Sequence, residues 1–133
     1  EPPERVFFLD RSLGGVKVAA LLREEGVEVE VHDHHFPRDE KDPVWLAEVG
    51  RRNWVVLTKD RRIRYRTLER EALQAAGVAA FVLVGKRLTG EEAGGIFVRA
   101  LPAIRRFLAT HKRPFIAKVS RSSGVTLLVG SDA

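Results

Sequence analysis

The stretch "WVVLTKDRRIRYR", residues 54 to 66, decides how the chain folds. Trp54 to Leu57 is a continuous apolar run closed by Thr58, without the alternation of a half-exposed strand. Parallel sheets bury runs of this kind on both faces. The run then gives way to Lys59, Asp60, Arg61, Arg62, Arg64 and Arg66. One acid at a strand end, ringed by positive charge, has two readings: a salt-bridged turn, or a metal site beside a phosphate-binding surface.

Outward from this strand, apolar runs alternate with helical spacing. Arg5–Leu9 reads as a buried strand ended by Asp10, and "RSLGG" as a turn. Val18, Leu21 and Leu22 lie at helical spacing and Gly26 stops that helix. Val27–His32 alternates valine with glutamate, the pattern of a strand near a sheet edge. Residues 33–41 form a charged loop; Asp42 is then an N-cap with Pro43 at the first helical position, and the helix runs to about Arg52. After the third strand, a short helix over Thr67–Ala76 ends at Gly77, and Ala79–Val84 is the fourth strand. Thr89 and Glu92 spell a capping box. The helix that follows carries Pro102, which predicts a kink or a break. "PFIAKV" and "VTLLV" flank "SRSSG" as a strand pair around a turn. The alternation predicts an α/β fold: a three-layer α/β/α sandwich with a mainly parallel central sheet of about five strands and a C-terminal strand pair, one domain over residues 1–133.

In such sheets ligands bind beyond the C-terminal ends of the strands, at a switch in strand order. Asp10 and Asp60 each fall just past a strand's C-terminal end. If the first and third strands are neighbours, both carboxylates reach one crevice. On a simple reading Asp42 starts at the opposite edge, and joins them only if the 33–41 loop folds over the crevice.

Composition narrows the chemistry. The absence of cysteine excludes disulfides, thiolate metal sites and Cys nucleophiles, and fits a reducing cytoplasm. No apolar run approaches the ~20 residues of a membrane span, and no signal-peptide pattern is visible. The formal net charge is +5, with 17 arginines against 6 lysines. Arginine's planar fork suits phosphate and carboxylate, so nucleic acid or an acidic partner is favoured, although charge totals say little about specific function. Carboxylates gathered in one pocket repel one another unless a cation neutralises them. Mg²⁺ and Mn²⁺ prefer hard oxygen ligands, and phosphodiester hydrolysis needs a metal to activate water and to stabilise phosphoryl charge. Asp10, Asp42 and Asp60 around such an ion make chemical sense, with Arg11, Lys59, Arg61, Arg62, Arg64 and Arg66 as phosphate contacts. Taken singly, Asp60 is a turn residue and Asp42 a helix cap; the joint pattern is more specific than any member.

"VFFLDRSLG" and "DPVWLAEVGRRNWVVLTKDRRI" together resemble a PIN-like domain, specifically the short PIN-like proteins related to VapC-type toxins of bacterial toxin–antitoxin modules. The resemblance covers roughly Val6 to Val119. It rests on an Asp closing the first strand, an Asp opening a helix and a T-x-D closing a later strand: Asp10, Asp42 and Thr58-Lys59-Asp60. It implies an acidic Mg²⁺ or Mn²⁺ pocket that cleaves RNA, often held inactive by an antitoxin protein; a homodimer is a further expectation. Full-size PIN domains add another acid and a helical Glu; the candidates here are Glu48 on the helix and Asp39 and Glu40 in the loop before it.

Three other features compete. "HDHH", His32 to His35, offers imidazoles for zinc, but adjacent residues rarely converge on one ion; a polar loop flanking the crevice is the favoured reading. Tyr65 between arginines suits base stacking or packing under the sheet. Arg105, Arg106, Lys112 and Arg113 form a second basic group, facing nucleic acid or an acidic antitoxin. No P-loop and no nucleophile elbow is present. The expected function is a metal-dependent ribonuclease. The alternatives are a catalytically silent RNA- or protein-binding module and a receiver-like signalling domain using Asp10, Asp60 and Lys118.

Overall fold

The computed structural model describes residues 6–13, 16–37, 42–60 and 67–130, and the side chains of all of these except residues 42 and 67–69. Strands β1 (Phe7–Leu9), β2 (Val29–Val31), β3 (Val55–Thr58), β4 (Ala79–Leu83), β5 (Phe115–Val119) and β6 (Val125–Val129) alternate with helices α1 (Lys17–Glu24), α2 (Asp42–Arg51), α3 (Thr67–Ala76) and α4 (Gly90–Thr110) up to β5. The six strands form one sheet in the order β2-β1-β3-β4-β5-β6. All pairs are parallel except β5 with β6, the expected C-terminal strand pair.

Period-two alternation divides each central strand between two cores. Phe7, Leu9, Leu57, Phe81 and Ala117 face α1 and α4, which contribute Val18, Leu22, Phe97 and Ile104. Phe8, Val56, Ala80, Val82 and Ile116 face the other way, toward Trp45, Leu46 and Val49 of α2 and Leu73 of α3. This is why the strands read as unbroken apolar runs, and why the helices carry one apolar face each. The β2 strand sits at the edge, as its glutamates predict; half-buried Glu30 meets His35 Nε2 at 2.6 Å.

Helix ends follow their sequence signals. Gly26 and Gly77 adopt φ of 80° and 68°, conformations that terminate α1 and α3 where glycine has no Cβ to clash. Thr89 and Glu92 complete the capping box at the start of α4. The break expected at Pro102 does not occur: α4 runs unbroken from Gly90 to Thr110. Pro102 is exposed, while Ala100, Leu101, Ile104 and Phe107 around it are buried. The buried stripe holds the helix together across the missing N–H, whose place faces solvent. Asp42 is the first residue of α2 rather than the residue before it, a one-position shift at a boundary where assignments commonly differ.

The start of α2 also differs from the simple expectation. The helix ends at Arg51 and the chain enters β3 at Val55, so the C-terminus of α2 lies at the N-terminal edge of the sheet. Gly50, one residue from that end, packs against Ala76, the last residue of α3, three positions before β4. Ten residues at ~1.5 Å each carry the helix about 15 Å, the length of a strand of four to five residues. The backbone of Asp42 therefore returns toward the edge where β1 and β3 end.

Candidate active site

The strand order reverses at β1: β2 lies on one side of it and β3 on the other. That reversal opens a crevice beyond the C-terminal ends of β1 and β3, the standard ligand position in such sheets. The register aligns Leu9 with Leu57, so Asp10 and Thr58 emerge side by side. The Asp10 N–H donates to Leu57 O at 3.2 Å and continues the ladder one residue beyond the strand.

Asp10 is a buried carboxyl group, 7 % exposed, held by hydroxyls from the turn after β1 and from the end of β3. The Ser12 N–H and hydroxyl donate to Oδ1 at 2.9 and 2.5 Å. The Thr58 hydroxyl donates to Oδ2 at 2.5 Å. Each hydroxyl has one proton, and both are committed to the carboxylate, so the 3.1 Å approach of Ser12 Oγ to Thr58 Oγ1 is a contact within the network. The free lone pairs accept backbone donors: Lys59 N–H to Ser12 Oγ and Asp60 N–H to Thr58 Oγ1, each at 3.0 Å. Residues 58 to 60 are thereby wrapped around the end of β1.

Burial pushes the Asp10 carboxyl up to about 6. Hydrogen bonds from Ser12 and Thr58 oppose the rise, and the negative charge of Asp60 adds to it. Such a site gains from a cation. Its donor atoms are carboxylate and hydroxyl oxygens, the hard ligands that Mg²⁺ and Mn²⁺ prefer. Among the described residues no three His, Cys, Asp or Glu side chains converge on one point, so the group visible here is the Asp10–Asp60 pair.

A profile described as "PIN like domain" matches residues 5–85, which include both of these acids and the four parallel strands β1 to β4. The chain belongs to the PIN-like domain family. It is also 30 % identical over 125 residues to "Putative ribonuclease VapC45" of Mycobacterium tuberculosis (strain ATCC 25618 / H37Rv), a match covering 91 % of this chain and 90 % of that protein. No solved structure matches the chain. This membership sets the receiver-like alternative aside.

Against this PIN-like frame the remaining candidates fall into three groups. Asp39, Glu40, Arg61, Arg62, Arg64, Tyr65, Arg66 and the side chain of Asp42 lie outside the described residues. Arg11 and Lys59 are exposed and follow directly on β1 and β3. Glu48 sits near the far end of α2, where Arg51 Nη2 and Arg52 Nε approach it at 2.6 and 2.5 Å. Hydrogen bonds from Arg51 and Arg52 hold its carboxyl down to about 2. It lines a groove with His35, Phe36 and Trp54.

The histidines do not gather. His32 is 1 % exposed and packs with Phe8, Phe36 and Trp45 at ring distances of 5.4 to 6.1 Å. The favoured polar-loop reading therefore fails for His32, because the turn after β2 rolls it inward onto the aromatic cluster. His34 is exposed and His35 pairs with Glu30. Arg105 and Arg106 lie on the late turns of α4, and Lys112 and Arg113 lead into β5, so the second basic group sits at the N-terminal edge of the sheet, away from Asp10. The residue that sequence reading missed is Ser12. Its signal was the Asp-x-Ser spacing, in which a side chain two residues on closes back onto the carboxylate.

Proposed function

We propose that the chain is a metal-dependent ribonuclease, the toxin component of a toxin–antitoxin pair, which hydrolyses RNA phosphodiester bonds with Mg²⁺ or Mn²⁺ held by Asp10, Asp42 and Asp60. The observation that carries this reading is the buried Asp10 carboxyl at the β1/β3 switch, charge-coupled to Asp60. The VapC45 relative, by name a "Putative ribonuclease", supports the activity and with it RNA as substrate; an antitoxin partner and a cytoplasmic setting belong to the same proposal. No described helix is long and apolar enough to cross a membrane.

When bound, the ion supplies a polarised phosphoryl oxygen and a more acidic water. The chain's own residues do the rest. Ser12 and Thr58 fix both oxygens of Asp10, so the carboxylate meets a ligand without reorganising. Lys59 and Arg11, both exposed, hold the substrate's phosphates, and Arg61, Arg62, Arg64 and Arg66 serve as further phosphate contacts.

The test is cleavage of single-stranded and hairpin RNA with Mg²⁺ or Mn²⁺, with and without EDTA. The expected result is metal-dependent cleavage, lost in Asp10→Asn and in Asp60→Asn. Cleavage that survives either substitution overturns the assignment. Calorimetry that detects no Mn²⁺ binding at millimolar metal leaves a silent binding module instead.

A further inference from the structure

The C-terminal edge of the sheet continues past the Asp10–Asp60 crevice, and the loops that leave β4 and β5 there are basic. Lys86 and Arg87 follow β4 and Arg121 follows β5; all three are exposed. The two loops are held level, since Val84 N–H donates to Val119 O at 2.9 Å. They also touch: a Cβ built on Gly85 would meet Arg121 Cγ at 3.1 Å. A fourth cation joins from α1, because a Cβ on Gly90 would meet Lys17 Cβ at 3.1 Å. Two glycines thus let Arg121 and Lys17 approach the segment that carries Lys86 and Arg87, and three segments bring four cations to this end of the sheet.

The acids nearby are Glu91 and Glu92 on the first turn of α4. Glu92 is committed to the Thr89 N–H at 2.9 Å, and Arg121 adds to the forces that keep it ionised. Residues 84–89 and 120–124 contain no acid at all. Arg87 has φ of 56°, the left-handed region where glycine or asparagine is ordinary. An arginine is held there although its side chain is exposed. Backbone strain of this kind accumulates where a side chain has a task.

We infer that Lys17, Lys86, Arg87 and Arg121 form a second phosphate-binding site, which takes the backbone of a single-stranded RNA several nucleotides from the bond to be cut. The inference rests on the ribonuclease reading and deepens it: the substrate is an extended strand laid along the C-terminal edge of the sheet. Three strand spacings separate β1 from β5, about 14 Å at ~4.8 Å each, a span of a few nucleotides of extended strand.

The test is fluorescence anisotropy of a labelled 12-nucleotide single-stranded RNA in EDTA, across a salt series. The protein is compared with a triple variant carrying Lys86→Gln, Arg87→Gln and Arg121→Gln. The expected result is at least tenfold weaker binding and a salt slope shallower by about 2, at ~0.7 for each phosphate left without its cation. The weakening should be larger for the 12-mer than for a trinucleotide. Arg87→Gly separates task from fold: it should weaken RNA binding while raising the melting temperature. An unchanged affinity and slope in the triple variant, with the unsubstituted protein binding RNA, overturns this site alone. An unsubstituted protein that binds no RNA overturns the ribonuclease reading as well. If polyglutamate binds in a way that needs these residues and RNA does not, the patch is a surface for acidic protein and the inference is wrong.

Discussion

Asp10 is a carboxyl group kept where the fold does not favour its charge. Its folded pKa of about 6 stands above the ordinary value of 3.8, so the folded protein binds more protons than the unfolded chain between pH ~4 and ~6. The contribution of Asp10 to stability is therefore most favourable below pH 4 and is lost as pH rises through 6. Two pKa units are worth about 3 kcal/mol, which sets the upper limit of the penalty at neutral pH. Asp10→Asn should accordingly raise the stability of the metal-free protein at pH 7.5 by up to about 3 kcal/mol and change it little at pH 4. Urea unfolding at the two pH values checks this, and a substitution that destabilises equally at both sinks it. Thr58→Val acts in the opposite direction, since it removes the donor to Oδ2. It should cost about 1–3 kcal/mol at pH 7.5 and weaken Mn²⁺ binding, read by calorimetry. Arg87→Gly exchanges a left-handed strain of ~1–2 kcal/mol for glycine's extra unfolded entropy of ~0.5–1 kcal/mol, leaving a net gain. At this scale Asp10 was legible because a lone acid follows a strand that is otherwise apolar. Ser12 was not, because a serine in a turn looks the same whether its hydroxyl faces water or a buried carboxylate.

Between elements, α2 approaches α3 closely at Gly50. A Cβ on Gly50 would lie 2.3 Å from Ala76 O and 2.6 Å from Ala76 Cβ. The carbonyl is backbone and cannot swing aside, so Gly50→Ala must push the helices apart. The expected loss is about 1–3 kcal/mol from overpacking, measured by thermal unfolding, although alanine is the better helix former. Because α2 opens with Asp42, the same substitution should lower cleavage by more than its stability effect explains. Thr89→Ala should cost about 1 kcal/mol through the missing cap at α4. Most elements were readable because each carries its own period and its own stop: Gly26, Gly77 and the Thr89–Glu92 pair act within a few residues of sequence. The unbroken α4 was not, since the effect of Pro102 depends on which face the buried stripe occupies. His32 failed for a related reason. A polar residue in a charged stretch reads as exposed until Phe8, Phe36 and Trp45 are known to surround it.

Across the molecule, what matters is strand order. Alternating strands and helices announced a parallel sheet, but the alternation is the same for several orders. Only the placement of β3 beside β1 brings two acids 50 positions apart within electrostatic reach of each other. That placement comes from which apolar faces fit together, a property of the whole packed interior. The bond from Thr58 to Asp10 spans 48 positions of chain, which has a consequence in time. At 5–20 residues per second, a ribosome needs roughly 2–10 s to travel that distance. Throughout that interval Oδ2 of Asp10 lacks its Thr58 donor, and only the nearby Ser12 is at hand. The pocket wall at Asp10 is thus completed only after β3 has been made.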